Sequence, residues 1–140
     1  MEHVSRSFFM RDDLDIVVVD DDRIAQMIIR KTLDKFPEVG TVHLFNDGME
    51  ALQALQRRWA SDKTLPDLIL LDLNMPVLNG WGFIDELKKE LDWPLIPVVL
   101  VTSSVDPDDI NRSKTTPQVE GFLYKPLRAG QLKEVLQKLV

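Results

Sequence analysis

Three aspartates in a row, Asp20-Asp21-Asp22, follow the apolar run IVVV, and a fourth acid, Asp72, follows LILL. Thr102-Ser103 follows VVLV, and Lys125-Pro126 follows FLY. The carboxylates of Asp20, Asp21 and Asp72, if brought together, would repel one another, and such a cluster persists only when something positive compensates. A divalent cation with oxygen ligands does so. Mg²⁺ is the expected one, because it takes one or two carboxylates, a carbonyl and several waters. Lys125 adds a compact point charge suited to an anionic oxygen, and Thr102 adds a hydroxyl donor. A carboxylate nucleophile, a metal, an ammonium and a hydroxyl suit phosphoryl transfer to an aspartate, where positioning and charge neutralisation carry most of the catalysis.

These residues act together only if the fold brings them to one place. LDIVVVD (14–20), LILLD (68–72) and PVVLVTS (97–103) read as strands buried on both faces. GFLYKP (121–126) is a shorter strand, and TVHLFND (41–47) alternates in the manner of a strand nearer an edge. Between them lie amphipathic stretches. Residues 23–36 repeat Ala25, Ile29, Leu33 and Phe36; 48–60 repeat Met49, Leu52 and Leu55; 80–91 repeat Phe83, Leu87 and Leu91. Residues 106–114 open with Asp106 as N-cap, Pro107 at the first helical position and Asp109 in the box position. The chain ends on a stripe of Leu132, Val135, Leu136 and Leu139. Five strand-helix repeats of this kind predict an α/β protein: a single doubly wound (βα)5 domain with a parallel five-stranded sheet covered on both faces. Ligands of such sheets sit at the carboxyl ends of the strands, which is where all four chemistry-bearing stretches fall.

The length fits one domain. A net charge of -6 and a pI near 4.9 argue against a nucleic-acid face. With no cysteine, disulfides, thiolate zinc sites and cysteine nucleophiles are excluded. No apolar run reaches the roughly 18–20 residues needed to span a bilayer, and MEHVSRSFFMRDD lacks the apolar core of a signal peptide. A cytoplasmic protein without membrane or nucleic-acid partners is expected.

The motifs VVVDDD, LLDLNMPVLNG, VLVTSS and LYKP, in this order and at this spacing, resemble the receiver domain of two-component response regulators over about residues 13–140. The resemblance is to the stand-alone, CheY-like type, with residues 1–12 as an N-terminal extension. It implies a flavodoxin-like sheet in the order 2-1-3-4-5. It further implies Asp72 as phosphoacceptor, with Asp21, Asp72 and the backbone carbonyl of Asn74 as direct Mg²⁺ ligands and Asp20 acting through water. Lys125 would bind the phosphoryl group, and the Lys125-Pro126 bond is often cis in the family. Thr102 matches the switch hydroxyl, and Phe122 takes the place of the switch aromatic, commonly tyrosine. Such a protein is a switch that catalyses its own phosphorylation and dephosphorylation. Its donor is a histidine kinase or a histidine phosphotransfer protein. It then signals to a protein target, relays the phosphoryl group, or changes a homodimer contact through the last two β-α units.

Two other readings share some of these residues. Aspartyl-phosphate phosphatases of the haloacid dehalogenase type also place an aspartate after an apolar strand. They want a second acid two residues on, where this chain has Asn74, and their paired acids come late in the chain. A receiver-like binding module that is never phosphorylated usually lacks part of the acid, threonine and lysine set, which is complete here.

Asp22 reads as a helix cap and Asn79-Gly80 as turn chemistry. Trp59, Trp81 and Trp93 read as packing residues. His3 and His43 fall near no acid cluster. Ile24, Met27 and Ile28 are apolar but off the core stripe of their helix. If exposed they form a patch beside the acid pocket, suited to docking the helix bundle that carries a donor histidine.

Overall fold

The computed structural model describes residues 12–139. The expected extension, with His3, Phe8 and Phe9, lies outside the described residues except for Asp12. The elements run β1 (Leu14–Val19), α1 (Arg23–Leu33), β2 (Val39–Phe45), α2 (Gly48–Asp62), β3 (Leu68–Leu71), α3 (Gly80–Lys88), β4 (Val98–Thr102), α4 (Pro107–Lys114), β5 (Val119–Tyr124) and α5 (Ala129–Gln137). The strands are parallel and lie in the order β2-β1-β3-β4-β5, as the resemblance implied.

Successive side chains of a strand point to opposite faces, so continuous apolar runs feed two cores. Val17, Val19, Ile69, Leu71, Val98 and Leu100 pack with Leu52 and Leu55 of α2 and Phe83, Ile84 and Leu87 of α3. Leu14, Ile16, Val18, Leu68, Leu70, Val99 and Val101 pack with Ile29 and Leu33 of α1 and Leu132 and Leu136 of α5. No helix among the described residues is long and apolar enough to cross a membrane.

Element boundaries differ from the sequence-based ones for local reasons. Helix α1 stops at Leu33 rather than Phe36, because Pro37 disfavours a helical residue before it. Helix α3 stops at Lys88, leaving Leu91 on the surface. Helix α2 runs on to Asp62 and closes with Lys63 in the left-handed region, its N–H donating to the Trp59 carbonyl. Met49, counted with the α2 stripe, is exposed. β2 and β5 each begin and end two residues earlier than expected. Trp59 and Trp93 pack at 6.2 Å and Trp81 is buried. Asp109 does not close a capping box, since its carboxylate is taken by Trp81 and Ser104. His43 lies 3.9 Å from Asp15, which pairs with Arg58, so one acid does stand beside it, across parallel β1 and β2.

The loop from β3 to α3 holds one strained residue. Val77 has φ 69°, and the Leu78 N–H donates to the Pro76 carbonyl at 2.8 Å. That three-residue turn forces a β-branched residue into the left-handed region. The side chain is 100% exposed and gives no packing in return. Glycine, having no Cβ, enters positive-φ conformations without that steric penalty. Val77→Gly is therefore expected to stabilise the fold by about 1 kcal/mol, the strain relieved exceeding the added chain entropy, read as a raised urea midpoint at unchanged slope.

Candidate functional site

The chemistry-bearing residues sit at or just past the last rungs of the sheet. β1 pairs with β2 and β3 through Val19, and Asp20 follows it. β3 ends at Leu71, and the Asp72 N–H donates to the Val19 carbonyl at 2.9 Å. Thr102 is the last residue of β4, and its carbonyl accepts the Lys125 N–H at 3.0 Å. Backbone bonds thus tie Asp72 to the end of β1 and Lys125 to the end of β4. The Lys125–Pro126 bond is cis.

Lys125 Nζ lies 2.7 Å from Asp20 Oδ2 and 3.4 Å from Asp72 Oδ2. Asp20 Oδ1 accepts the Asp22 N–H at 2.9 Å, and Asp72 Oδ1 accepts the Asn74 N–H at 3.2 Å. One carboxylate oxygen from each of Asp20, Asp21 and Asp72 falls within 4.8 Å of the others. Asp20 and Asp72 are buried, whereas Asp21 is exposed. Three hard oxygen donors at this spacing, open to solvent on one side, fit a small divalent cation that keeps part of its water shell. Buried Thr102 accepts the Ser104 N–H on Oγ1 at 3.2 Å. Phe122, half-buried, stacks edge to face on Tyr124 at 5.3 Å. Asp22 caps α1, accepting from the Ile24 and Ala25 N–H groups. The expected docking residues are all solvent-facing: Ile24 is 69%, Met27 57% and Ile28 39% exposed.

Two features were not read from the sequence. Gln26, buried on α1, donates from Nε2 to the carbonyls of Asp20 and Phe45 and to Asn46 Oδ1. Its signal was a polar residue three positions from Ile29 on the buried face of a helix. The second feature leads away from Thr102. Ser104 Oγ donates to Asp109 Oδ2 at 2.6 Å, Trp81 Nε1 donates to Asp109 Oδ1 at 2.9 Å, and the Arg112 guanidinium lies over the Trp81 ring at 4.5 Å. It joins the β4–α4 loop to α3 and α4.

Burial pushes the Asp20 carboxyl above its ordinary value, and the opposing bonds from Lys125 and the Asp22 N–H do not reverse this. Burial alone would lower the Lys125 ammonium, but its hydrogen bond and charge pairing with Asp20, together with the Asp72 charge, carry it upward overall. The raised Asp20 value has a definite sign for stability. Between 3.8 and that raised value the folded state holds a proton on Asp20 that the unfolded chain has released, so stability falls as pH rises through that window. Without divalent cations, the wild type should therefore gain stability relative to Asp20→Asn as pH falls from neutrality toward 3.8, the ordinary carboxylate value. Asp62, lowered by its bond from the Thr64 hydroxyl, works in the opposite sense at the acid end of this range, but it does so in both chains alike and cancels from the comparison. Urea unfolding of the two chains across this range checks the sign.

The sequence profile of the response regulator receiver domain matches residues 16–137. The chain is 29% identical over 124 residues to the probable methanogenesis regulatory protein FilR2 of Methanothrix harundinacea, covering 89% of this chain and 79% of that protein. It is 30% identical to a protein-glutamate methylesterase/protein-glutamine glutaminase of Methanospirillum hungatei, covering 86% of this chain but only 33% of that longer protein. Among solved structures, a two-component response regulator from Cytophaga hutchinsonii superposes with a TM-score of 0.81 at 27% identity, covering 91% of this chain and 97% of that one.

Proposed function

The chain belongs to the response regulator receiver domain family, and from that premise we propose that it takes a phosphoryl group from a phosphohistidine donor onto Asp72. The observation that carries this reading is the convergence of Asp72 with Lys125 and two further aspartates at one rim of the sheet. Asp21, Asp72 and the Asn74 carbonyl would hold Mg²⁺ directly, with Asp20 acting through water. When bound, the metal supplies charge neutralisation for an incoming anionic phosphoryl group. An Asp72 oxygen attacks phosphorus, the donor's P–N bond breaks, and the Asp72 O–P bond forms. Lys125, free to exchange its Asp72 contact for a phosphoryl oxygen, offsets the added charge. Thr102 then donates its hydroxyl to the phosphoryl group. The β4–α4 loop, bonded to Thr102 through Ser104 and to Trp81 through Asp109, shifts with it, as does β5 with Phe122.

We place the receiver unit at residues 13–140, with 1–12 as an extension before it. The reading carries the family's cytoplasmic setting, a histidine kinase or histidine phosphotransfer protein as donor, and a protein target or onward relay. A homodimer contact through the last two β-α units is the alternative output. Methylesterase activity belongs to the longer relative. Asn74, two residues past the acceptor, cannot protonate a leaving group as the acid of a dehalogenase-type phosphatase does, so that alternative is not favoured.

The test is incubation with acetyl phosphate, with and without Mg²⁺, followed by intact mass and peptide mapping. One phosphoryl group on Asp72, formed only with Mg²⁺, is the expected result. Failure with both acetyl phosphate and a panel of phosphohistidine donors would leave the non-phosphorylated binding module standing.

The exposed patch of Ile24, Met27 and Ile28 serves as the donor's docking face in this reading. Ile28→Glu should slow phosphotransfer from the histidine donor about tenfold, roughly 1.4 kcal/mol at the contact. The acetyl phosphate reaction should keep its rate, and equal loss in both would remove the docking role.

A further inference from the structure

We infer that Gln26 is a positioning residue for the divalent-cation site: its carboxamide fixes the peptide that joins Asp20 to Asp21, and through it the directions in which the two carboxylates project. The inference rests on the reading of the acid cluster as a Mg²⁺ site.

The ladder pairings of β1 end at Val19, so the next carbonyl, that of Asp20, gets no partner from the sheet. Gln26 Nε2 supplies it at 2.6 Å. The same nitrogen lies 3.1 Å from the Phe45 carbonyl and 3.1 Å from Asn46 Oδ1. An amide nitrogen has two hydrogens, so three acceptors leave one N–H shared. One buried side chain on α1 therefore ties the turn after β1 to the turn after β2. The tie matters because a peptide group is planar. Holding the Asp20 carbonyl oxygen sets the plane that contains the Asp21 nitrogen and Cα. The Asp20 side chain has its own anchors, Lys125 and the Asp22 N–H. Asp21 is exposed, so its backbone rather than surrounding packing sets its position.

A hydrocarbon of the same shape would fill the space of Gln26 but leave the Asp20 carbonyl without its donor. Mg²⁺ demands near-octahedral ligand placement, whereas Ca²⁺ accepts irregular geometry. Loss of the clamp should therefore weaken Mg²⁺ more than Ca²⁺. A side chain that only stabilised the fold would not change that ratio.

The test titrates the full chain with MgCl2 and with CaCl2 by calorimetry, comparing wild type with Gln26→Met. Thr32→Val is the control. Thr32 is buried on the same helix, and its hydroxyl bonds the Ile28 carbonyl at 2.7 Å, remote from the acids. Gln26→Met should lose about tenfold in Mg²⁺ affinity and less in Ca²⁺ affinity. Thr32→Val should lose neither. In metal-free protein, amide hydrogen exchange at Asp21 and Asp22 should quicken in Gln26→Met alone. If Gln26→Met does not fold, Gln26→Asn, one methylene short, should show the same affinity loss. Wild-type Mg²⁺ affinity in the folded Gln26 variant, or an equal loss in Thr32→Val, overturns the inference. A wild-type chain that takes up no Mg²⁺ removes the underlying reading as well.

Discussion

Asp72→Asn will take up no phosphoryl group from acetyl phosphate, while its fold will be at least as stable as the wild type. The carboxamide lacks the nucleophilic oxygen charge that attacks phosphorus. Its neighbours do not replace it: Asp20 is buried and held by Lys125 and the Asp22 N–H, and Asp21 is exposed. The expected loss is at least about a thousandfold in rate, on the order of 4 kcal/mol of barrier. Stability should move the other way. The amide oxygen can still accept the Asn74 N–H that Asp72 Oδ1 accepts at 3.2 Å, and Lys125 keeps its closer partner, Asp20, at 2.7 Å. The Asp72 charge also works against ionisation of Asp20, so its removal relieves repulsion in the metal-free protein. Mass spectrometry and urea unfolding of the same preparation read both effects. A phosphoryl group on Asp20 or Asp21 in the variant would show that the acceptor is not unique to Asp72.

This separation of function from stability also explains what could be read without coordinates. The runs ending at Val19, Leu71 and Val101 are apolar at every position because both faces of the central strands are covered. An acid or hydroxyl at the end of such a run is an interruption that local packing does not account for. The fold and the gathering of Asp20, Asp72 and Lys125 followed from that pattern, and the family resemblance supplied the strand order. The contacts made across the fold were not legible. Gln26 looks like any helix amide until the carbonyls of Asp20 and Phe45 stand over it. Asp109 looks like a cap until Trp81, 28 residues away in sequence, donates to it. Periodicity placed Met49 and Leu91 with the core, yet both sit where a helix begins or has already ended. Local sequence carries the period of an element; it does not carry which distant backbone will press against it.

The same limit hides the second large effect, at Gly80. Asn79-Gly80 reads as a turn, and Asn79 does cap α3, accepting the Gly82 N–H at 2.8 Å. Gly80 is the first residue of that helix, and its N–H donates to the Leu73 carbonyl at 3.0 Å. The start of α3 therefore lies directly on the residues following β3. A Cβ on Gly80 would stand 2.7 Å from the Asp72 carbonyl oxygen and 2.9 Å from the Leu73 Cα. Alanine is the better helix former by about 1 kcal/mol, so propensity alone favours Gly80→Ala. Sterics should win, because the opposing atoms are main chain and cannot rotate away. Gly80→Ala should cost about 3 kcal/mol and slow phosphorylation further by shifting Asp72 against Lys125. Gly82→Ala is the matched comparison. Its Cβ would meet the Leu78 Cδ1 at 2.8 Å, the free end of a flexible side chain, so the change should stay within about 1 kcal/mol of wild type. Urea unfolding and acetyl phosphate kinetics on both variants decide the matter. Equal stability in the two would mean that the backbone beneath Asp72 yields easily, and that α3 does not fix the position of the acceptor.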